Sequence, residues 1–332
     1  MSVYMNGRAM AAGERPEGRP SRQINVVLRN QTEGYGLNKE SISDPEETAA
    51  SLKNNPQFAM YLDIQKELDQ LVGLESIKDF VFEIYAFLQI AQMRSDAGLM
   101  SGSHVYHMVF KGNPGTGKTT VARIVAKLFQ KMGVLAKGHL IEVERADLVG
   151  EYIGHTAQKT RDLVKKSLGG ILFIDEAYSL ARGGEKDFGK EAIDTLVKAM
   201  EDHKNQFILI LAGYSDEIDF FMQTNPGLPS RFPIQIEFPD YSIDQLIQIS
   251  ELMAKDRDYI LMPQTILKLK QHLLDEKNET SQAFSNARYV RNLIEKSIRH
   301  QAVRLLNQYS SGNPGKLELM TLRVEDLKLD KK

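Results

Sequence analysis

Gly112-Asn113-Pro114-Gly115-Thr116-Gly117-Lys118-Thr119 follows the pattern G-x-x-x-x-G-K-[ST] without a gap. The residues before it, His104-Val105-Tyr106-His107-Met108-Val109-Phe110, read as a buried strand. After it, Val121, Ile124, Val125, Leu128 and Phe129 recur at helical spacing, with Arg123, Lys127 and Lys131 on the other face. Glycines let such a loop curl so that its N–H groups and the following helix dipole attract an anion. Lys118 then reaches the β- and γ-phosphates of a nucleoside triphosphate, and the Thr119 hydroxyl takes Mg²⁺. Asn113, Pro114, Gly115, Thr116, Gly117 and Thr120 complete the expected cradle.

Further along, Gly170-Ile171-Leu172-Phe173-Ile174-Asp175-Glu176 is a continuous apolar strand ending in two acids. At a strand tip beside a phosphate loop, Asp175 is expected to orient the metal and Glu176 to act as general base on the attacking water. A carboxylate base there favours ATP hydrolysis over nucleotide sensing. Leu140 to Val143, Phe207 to Tyr214 and Pro233 to Phe238 read as further strands, and helices alternate with them. That alternation predicts an α/β fold, a parallel sheet with helices on both faces.

The whole chain bounds the reading. Its 332 residues and 42% hydrophobic content suit more than one domain with a substantial core. With 42 basic and 44 acidic residues the net charge is −2, which gives no field for nucleic acid or a membrane surface. The absence of cysteine excludes disulfides, thiol catalysis and cysteine-based zinc sites. No apolar run approaches a membrane span and the N-terminus has no hydrophobic leader core, so a cytoplasmic protein is expected.

In chain order, residues 1–50 are rich in small and charged groups and read as a disordered arm. Up to Asn30, Arg8, Arg15, Arg19, Arg22 and Arg29 oppose Glu14 and Glu17, a net of +3. Residues 51–103 hold N-terminal helices and a linker, 104–240 the α/β domain, 241–309 an α-helical lid and 310–332 a charged tail. Val72-Gly73-Leu74, apolar and glycine-bent, is expected to form a wall for an adenine ring. Tyr152-Ile153-Gly154 forms an apolar grip within a polar stretch, and Arg231 ends the broken segment before the last strand of the sheet.

Together these motifs resemble the AAA+ ATPases, and specifically the CbxX/CfqX group, over about Leu62 to Leu306. Gly112–Thr119, Asp147–Thr156, Ile174-Asp175-Glu176-Ala177-Tyr178 and Asn286-Ala287-Arg288 carry the resemblance. It implies a ring, usually a hexamer, with ATP bound between neighbouring subunits. In that frame Tyr152-Ile153-Gly154 looks like the pore loop that grips a polypeptide, and Arg231 like an arginine finger acting in trans. Arg288 looks like the lid arginine that senses the phosphates, with Arg291 as the alternative. Many AAA+ proteins have Asn or Thr at the fourth strand tip, whereas this chain has Gly213-Tyr214-Ser215, leaving Tyr214 and Ser215 both open for that role. The expected function is an ATP-driven motor that remodels a protein partner, with sporulation members of the group the nearest in pattern. The alternatives are a nucleotide-gated scaffold and a Rubisco-activase-like remodeller.

Overall fold

The computed structural model describes residues 56–100, 102, 104–152, 154–183, 187–279, 284–309 and 312–329. The N-terminal arm and Ile153 lie outside these described residues. Helices α1 (Pro56–Asp69) and α2 (Glu75–Asp96) come first, joined by a bend in which Gly73 and Leu74 both have positive φ. The αβ part follows as β1 (Met108–Gly112), α3 (Lys118–Lys131), β2 (Leu140–Val143), α4 (Arg145–Leu148), α5 (His155–Ser167) and β3 (Ile171–Ile174). A 3₁₀ turn over Ala177–Ala181 leads to α6 (Gly189–Asp202), β4 (Ile208–Gly213), α7 (Ser215–Gln223), α8 (Leu228–Arg231) and β5 (Ile234–Phe238). Next come α9 (Ile243–Lys255), β6 (Ile260–Leu261), α10 (Pro263–Glu279), α11 (Asn286–Gln308), α12 (Lys316–Met320) and β7 (Thr321–Leu322).

The five long strands form one parallel sheet in the order β2-β3-β4-β1-β5. Side chains alternate between its faces, so each apolar strand feeds two cores. Met108, Phe110, Phe173 and Ile210 pack with α2 and α3 and with Leu246, Leu269 and Val290 of the lid. Val109, Leu172, Ile174 and Leu211 pack on the other face with Val164, Leu196 and Phe221. The expected α/β architecture with helices on both faces is therefore the observed one.

Two sequence expectations are corrected. The first strand starts at Met108, not His104, because the rung before it is made by a side chain: the Leu209 N–H donates to His107 Nδ1 at 3.0 Å. The presumed charged tail is folded, and β7 pairs with β6, itself unexpected within the helical run. Its charges are used internally, with Arg304 gripping the buried Asp326 carboxylate at 2.8 and 2.9 Å and Arg323 bonding Glu318.

Burial pushes His107 from 6.5 down to about 4. The folded chain then keeps it neutral where the unfolded chain would protonate it. Its contribution is full above pH 6.5 and lost as pH falls through the window toward 4. Between pH 7 and pH 5 this group alone should cost about 2 kcal/mol. Urea unfolding at the two pH values should show a drop smaller by that amount in His107→Gln, and an identical drop would remove His107 as the cause.

Candidate functional site

Because β4 and β3 lie in turn beside β1, the phosphate loop, Gly213-Tyr214 and Asp175-Glu176 meet at the carboxyl edge of the sheet. Open parallel sheets bind ligands at such an edge. These residues line a cleft of about 490 Å³, closed on one side by the bend before α2 and on another by the lid.

The loop has the shape its glycines require. Gly115 and Gly117 have φ of +70° and +100°, and a Cβ at Gly115 would sit 2.4 Å from Ser285 O and 2.7 Å from Arg288 N. Only glycine allows the lid backbone to approach that closely. Gly117 ends the loop at the start of α3, whose free N–H groups face the cleft. Lys118 Nζ donates to Gly112 O at 2.7 Å and Asn113 O at 2.8 Å. Burial lowers its pKa while Asp175 opposes the shift and Arg288 adds to it, so all three charges share one space.

Pro114, Gly115, Gly117, Lys118, Thr119 and Thr120 line the cleft. Asn113, Thr116 and Gly73 do not line it; they shape it. The buried Thr116 hydroxyl donates to Asn113 O at 2.8 Å, and Asn113 Nδ2 donates to both carboxylate oxygens of Asp240 at 3.0 Å. Gly73 lets α9 come close, since a Cβ there would be 2.3 Å from Gln245 Nε2.

Asp175 and Glu176 enter from the tip of β3. The Asp175 N–H donates to Val143 O at 3.0 Å, which fixes the tip against β2. Its Oδ1 accepts the Glu176 N–H at 3.0 Å. Glu176 adopts φ 47° and ψ 43°, an uncommon conformation for a residue with a side chain, and leaves its carboxylate exposed in the cleft. A hydroxyl on Thr119 and a carboxylate on Asp175 are hard oxygen donors in one cleft, a set that suits Mg²⁺. The nested N–H groups and Lys118 suit the phosphates.

Val72 and Leu74 form one apolar wall. The facing wall, Ile249, Leu252 and Met253 of α9, escapes the sequence reading because i, i+3, i+4 spacing looks like an ordinary core stripe. Arg288 and Arg291 both reach the cleft, so the structure keeps both candidates. The lid is tied to the loop by buried Asn286, whose Nδ2 donates to Asp240 Oδ1 at 2.7 Å and whose Oδ1 accepts the Tyr241 N–H at 3.0 Å. The Ala287 N–H donates to Gly115 O at 3.2 Å. Of the two fourth-strand candidates, Tyr214 lines the cleft, whereas Ser215 donates to Glu237 at 2.6 Å.

Tyr152 and Arg231 are not among the residues lining the nucleotide cleft. Tyr152 is 65% exposed, its ring edge-on to His155 at 5.4 Å. Helix α5 anchors the loop: the Thr156 hydroxyl accepts the Gly150 N–H at 2.9 Å, and Lys159 donates to Ala146 O and Val149 O. The loop base, Val149 to Glu151, shares a second cleft with Asp175, Glu176 and Arg288. Arg231, at the end of α8, bonds Gly227 O and Glu201 in a third cleft.

Comparison with known proteins agrees with this geometry. Residues 108–240 match the family described as ATPase family associated with various cellular activities (AAA), and residues 242–332 match the AAA lid domain. Stage V sporulation protein K of Bacillus subtilis is 58% identical over 310 residues, 92% of this chain and 94% of that one. Protein CfxQ of Xanthobacter flavus is 42% identical, covering 79% of this chain and 82% of its own. The chloroplastic ribulose bisphosphate carboxylase/oxygenase activase of Cyanidioschyzon merolae is 41% identical over 80% of this chain and 91% of its own. Among solved structures, a variant of RuvB from Thermotoga maritima superposes with a TM-score of 0.50 at 19% identity, over 78% of this chain and 69% of that one, a likeness of fold alone. The chain belongs to the AAA ATPase family, within the group that holds CfxQ and stage V sporulation protein K, and is an ATP-hydrolysing enzyme with an AAA domain followed by its lid.

Proposed function

We propose that the chain assembles into a ring, a hexamer, that spends ATP to pull on a segment of a protein partner, in the cytoplasm of a spore-forming cell. The observation that carries this reading is the division of labour across the surface. Tyr152 stands exposed on a loop whose base adjoins Glu176, while Arg231 sits in a cleft that shares no residue with its own nucleotide site. A cation so placed is useful to a neighbour's phosphates, and an exposed aromatic is useful to a passing chain.

In this reading Thr119 and Asp175 hold Mg²⁺, which when bound supplies charge neutralisation on the phosphates. Lys118 binds and orients the β- and γ-phosphates, and Glu176 accepts the proton of the attacking water. Tyr214 orients that water from the tip of β4. Arg231 from the adjacent subunit stabilises the charge developing on the transferred group. Arg288, with Arg291 one turn on, draws the lid to the phosphates, and Asn286 carries the movement into the loop through Asp240. The 58% identity to a sporulation protein favours a client made in sporulation. The activase relatives support a second reading in which the client is a carboxylase-like enzyme.

Tyr152→Ala should keep ATP turnover and assembly but lose the increase in turnover on adding client polypeptide. Sedimentation with ATP and a turnover assay check both parts. A Tyr152→Ala ring that still remodels its client would overturn threading, and a chain that stays monomeric with ATP would overturn the ring.

A further inference from the structure

Glu142 is a charged residue in the middle of a strand whose neighbour Val143 is buried, and its carboxylate has two partners on one helix. Oε1 accepts a hydrogen bond from Thr119 Oγ1 at 3.2 Å, and Oε2 accepts one from Arg123 Nη2 at 3.0 Å. Thr119 and Arg123 are four residues apart, one turn of α3, and so present the same face to β2. The strand itself is fixed to the acids: Glu142 pairs with Phe173 and Val143 with Ile174, and Val143 O holds the Asp175 N–H. One carboxylate thus links the last residue of the phosphate loop to β2, the strand that pairs with β3 and holds the Asp175 N–H.

A threonine hydroxyl has one proton and two lone pairs. An acceptor that captures the proton decides where the lone pairs point. We propose that Glu142 is a positioning residue for Mg²⁺: it accepts the Thr119 hydroxyl's hydrogen bond, turns the hydroxyl lone pair toward the cation position beside Asp175, and is itself held in place by Arg123. The proposal rests on the reading of the cleft as an Mg²⁺–ATP site. It distinguishes Glu142 from a plain surface ion pair with Arg123, which would contribute little to stability and have no bearing on the metal. Outer-shell partners of metal ligands typically cost about 10–100-fold in metal affinity when removed.

The test is binding of a fluorescent ATP analogue measured in EDTA and across an Mg²⁺ titration, with phosphate release alongside. Glu142→Ala should move the Mg²⁺ midpoint up by about tenfold and leave affinity in EDTA unchanged. Glu142→Gln, which keeps an acceptor at the same place, should recover most of the midpoint, and Arg123→Ala should shift it in the same direction by a smaller factor. The unfolding temperature without nucleotide serves as the folding control; if the alanine variant fails it, the glutamine variant and Arg123→Ala carry the test. An unchanged midpoint in Glu142→Ala, or an equal loss of affinity with and without Mg²⁺, would overturn the proposal. A parent protein whose nucleotide binding ignores Mg²⁺ would instead overturn the underlying site reading, and the role of Glu142 with it.

Discussion

Arg231→Ala should lower ATP turnover by about a thousandfold or more while leaving each subunit's own nucleotide affinity nearly intact. The reason lies in where the guanidinium is held. Its Nη1 donates to Gly227 O at 2.9 Å and its Nη2 pairs with Glu201, in a cleft also walled by His107, Met200, Lys204 and Phe207. None of these residues lines the chain's own nucleotide cleft. It is nevertheless oriented, because the backbone carbonyl of its own helix start fixes one nitrogen. Its partner Glu201 is 62% exposed, and exposed pairs of this kind contribute about 1 kcal/mol or less. Exchanging Glu201 for a phosphate on an adjacent subunit therefore costs little, while a planar, permanently charged group gains strong hydrogen bonds to developing oxyanion charge. Mixing decides between cis and trans action. Lys118→Ala subunits lack a working nucleotide site but keep Arg231; Arg231→Ala subunits have the reverse defect. Each alone should be inactive, and rings formed from both should regain turnover. No recovery in mixed rings of verified composition would place Arg231 outside the reaction.

The parts legible from sequence are those where chemistry dictates residue type locally. A loop that must accept phosphate oxygens on its backbone needs Gly115 and Gly117, and the helix after it needs Lys118 and Thr119 in fixed order. A strand buried on both faces that ends at a charged site reads as Ile171-Leu172-Phe173-Ile174-Asp175-Glu176, with no alternation to confuse it. What escaped depends on partners far along the chain. Arg304 and Asp326 are 22 residues apart, and only their pairing turns an apparently solvated tail into the piece that covers the lid helix. Nothing in the sequence pairs Asp240 with Asn286, yet together they join loop, hinge and lid across 46 positions. His107 looks like one more strand residue because nothing in periodicity reveals that its ring, rather than its backbone, meets Leu209. Glu142 looks like the polar member of a short exposed strand until the register sets it beside Thr119.

Glu176→Gln should bind ATP as the parent does and hydrolyse it at least about a hundredfold more slowly, leaving ATP rather than ADP on the protein. The substitution removes one thing only. Glutamine matches glutamate in size and keeps an oxygen acceptor, but cannot take a proton from water. Binding rests on groups it does not touch: the loop N–H groups, Lys118 and the apolar walls. The backbone argues for function as well, because a non-glycine residue at φ 47° costs on the order of 1–3 kcal/mol. That strain is held in place from both sides. Asp175 Oδ1 accepts the Glu176 N–H, and the next residues, Ala177 and Tyr178, are buried in the 3₁₀ turn. The arrangement aims the carboxylate into the cleft instead of along the strand, next to Asp175, Lys118 and Tyr214. Single-turnover measurement of phosphate release, with the bound nucleotide identified afterwards, reads the effect directly. If turnover in Glu176→Gln stayed within a few fold of the parent, proton removal would have to be reassigned to another group in the cleft, and the strained turn at the tip of β3 would be left without a chemical reason.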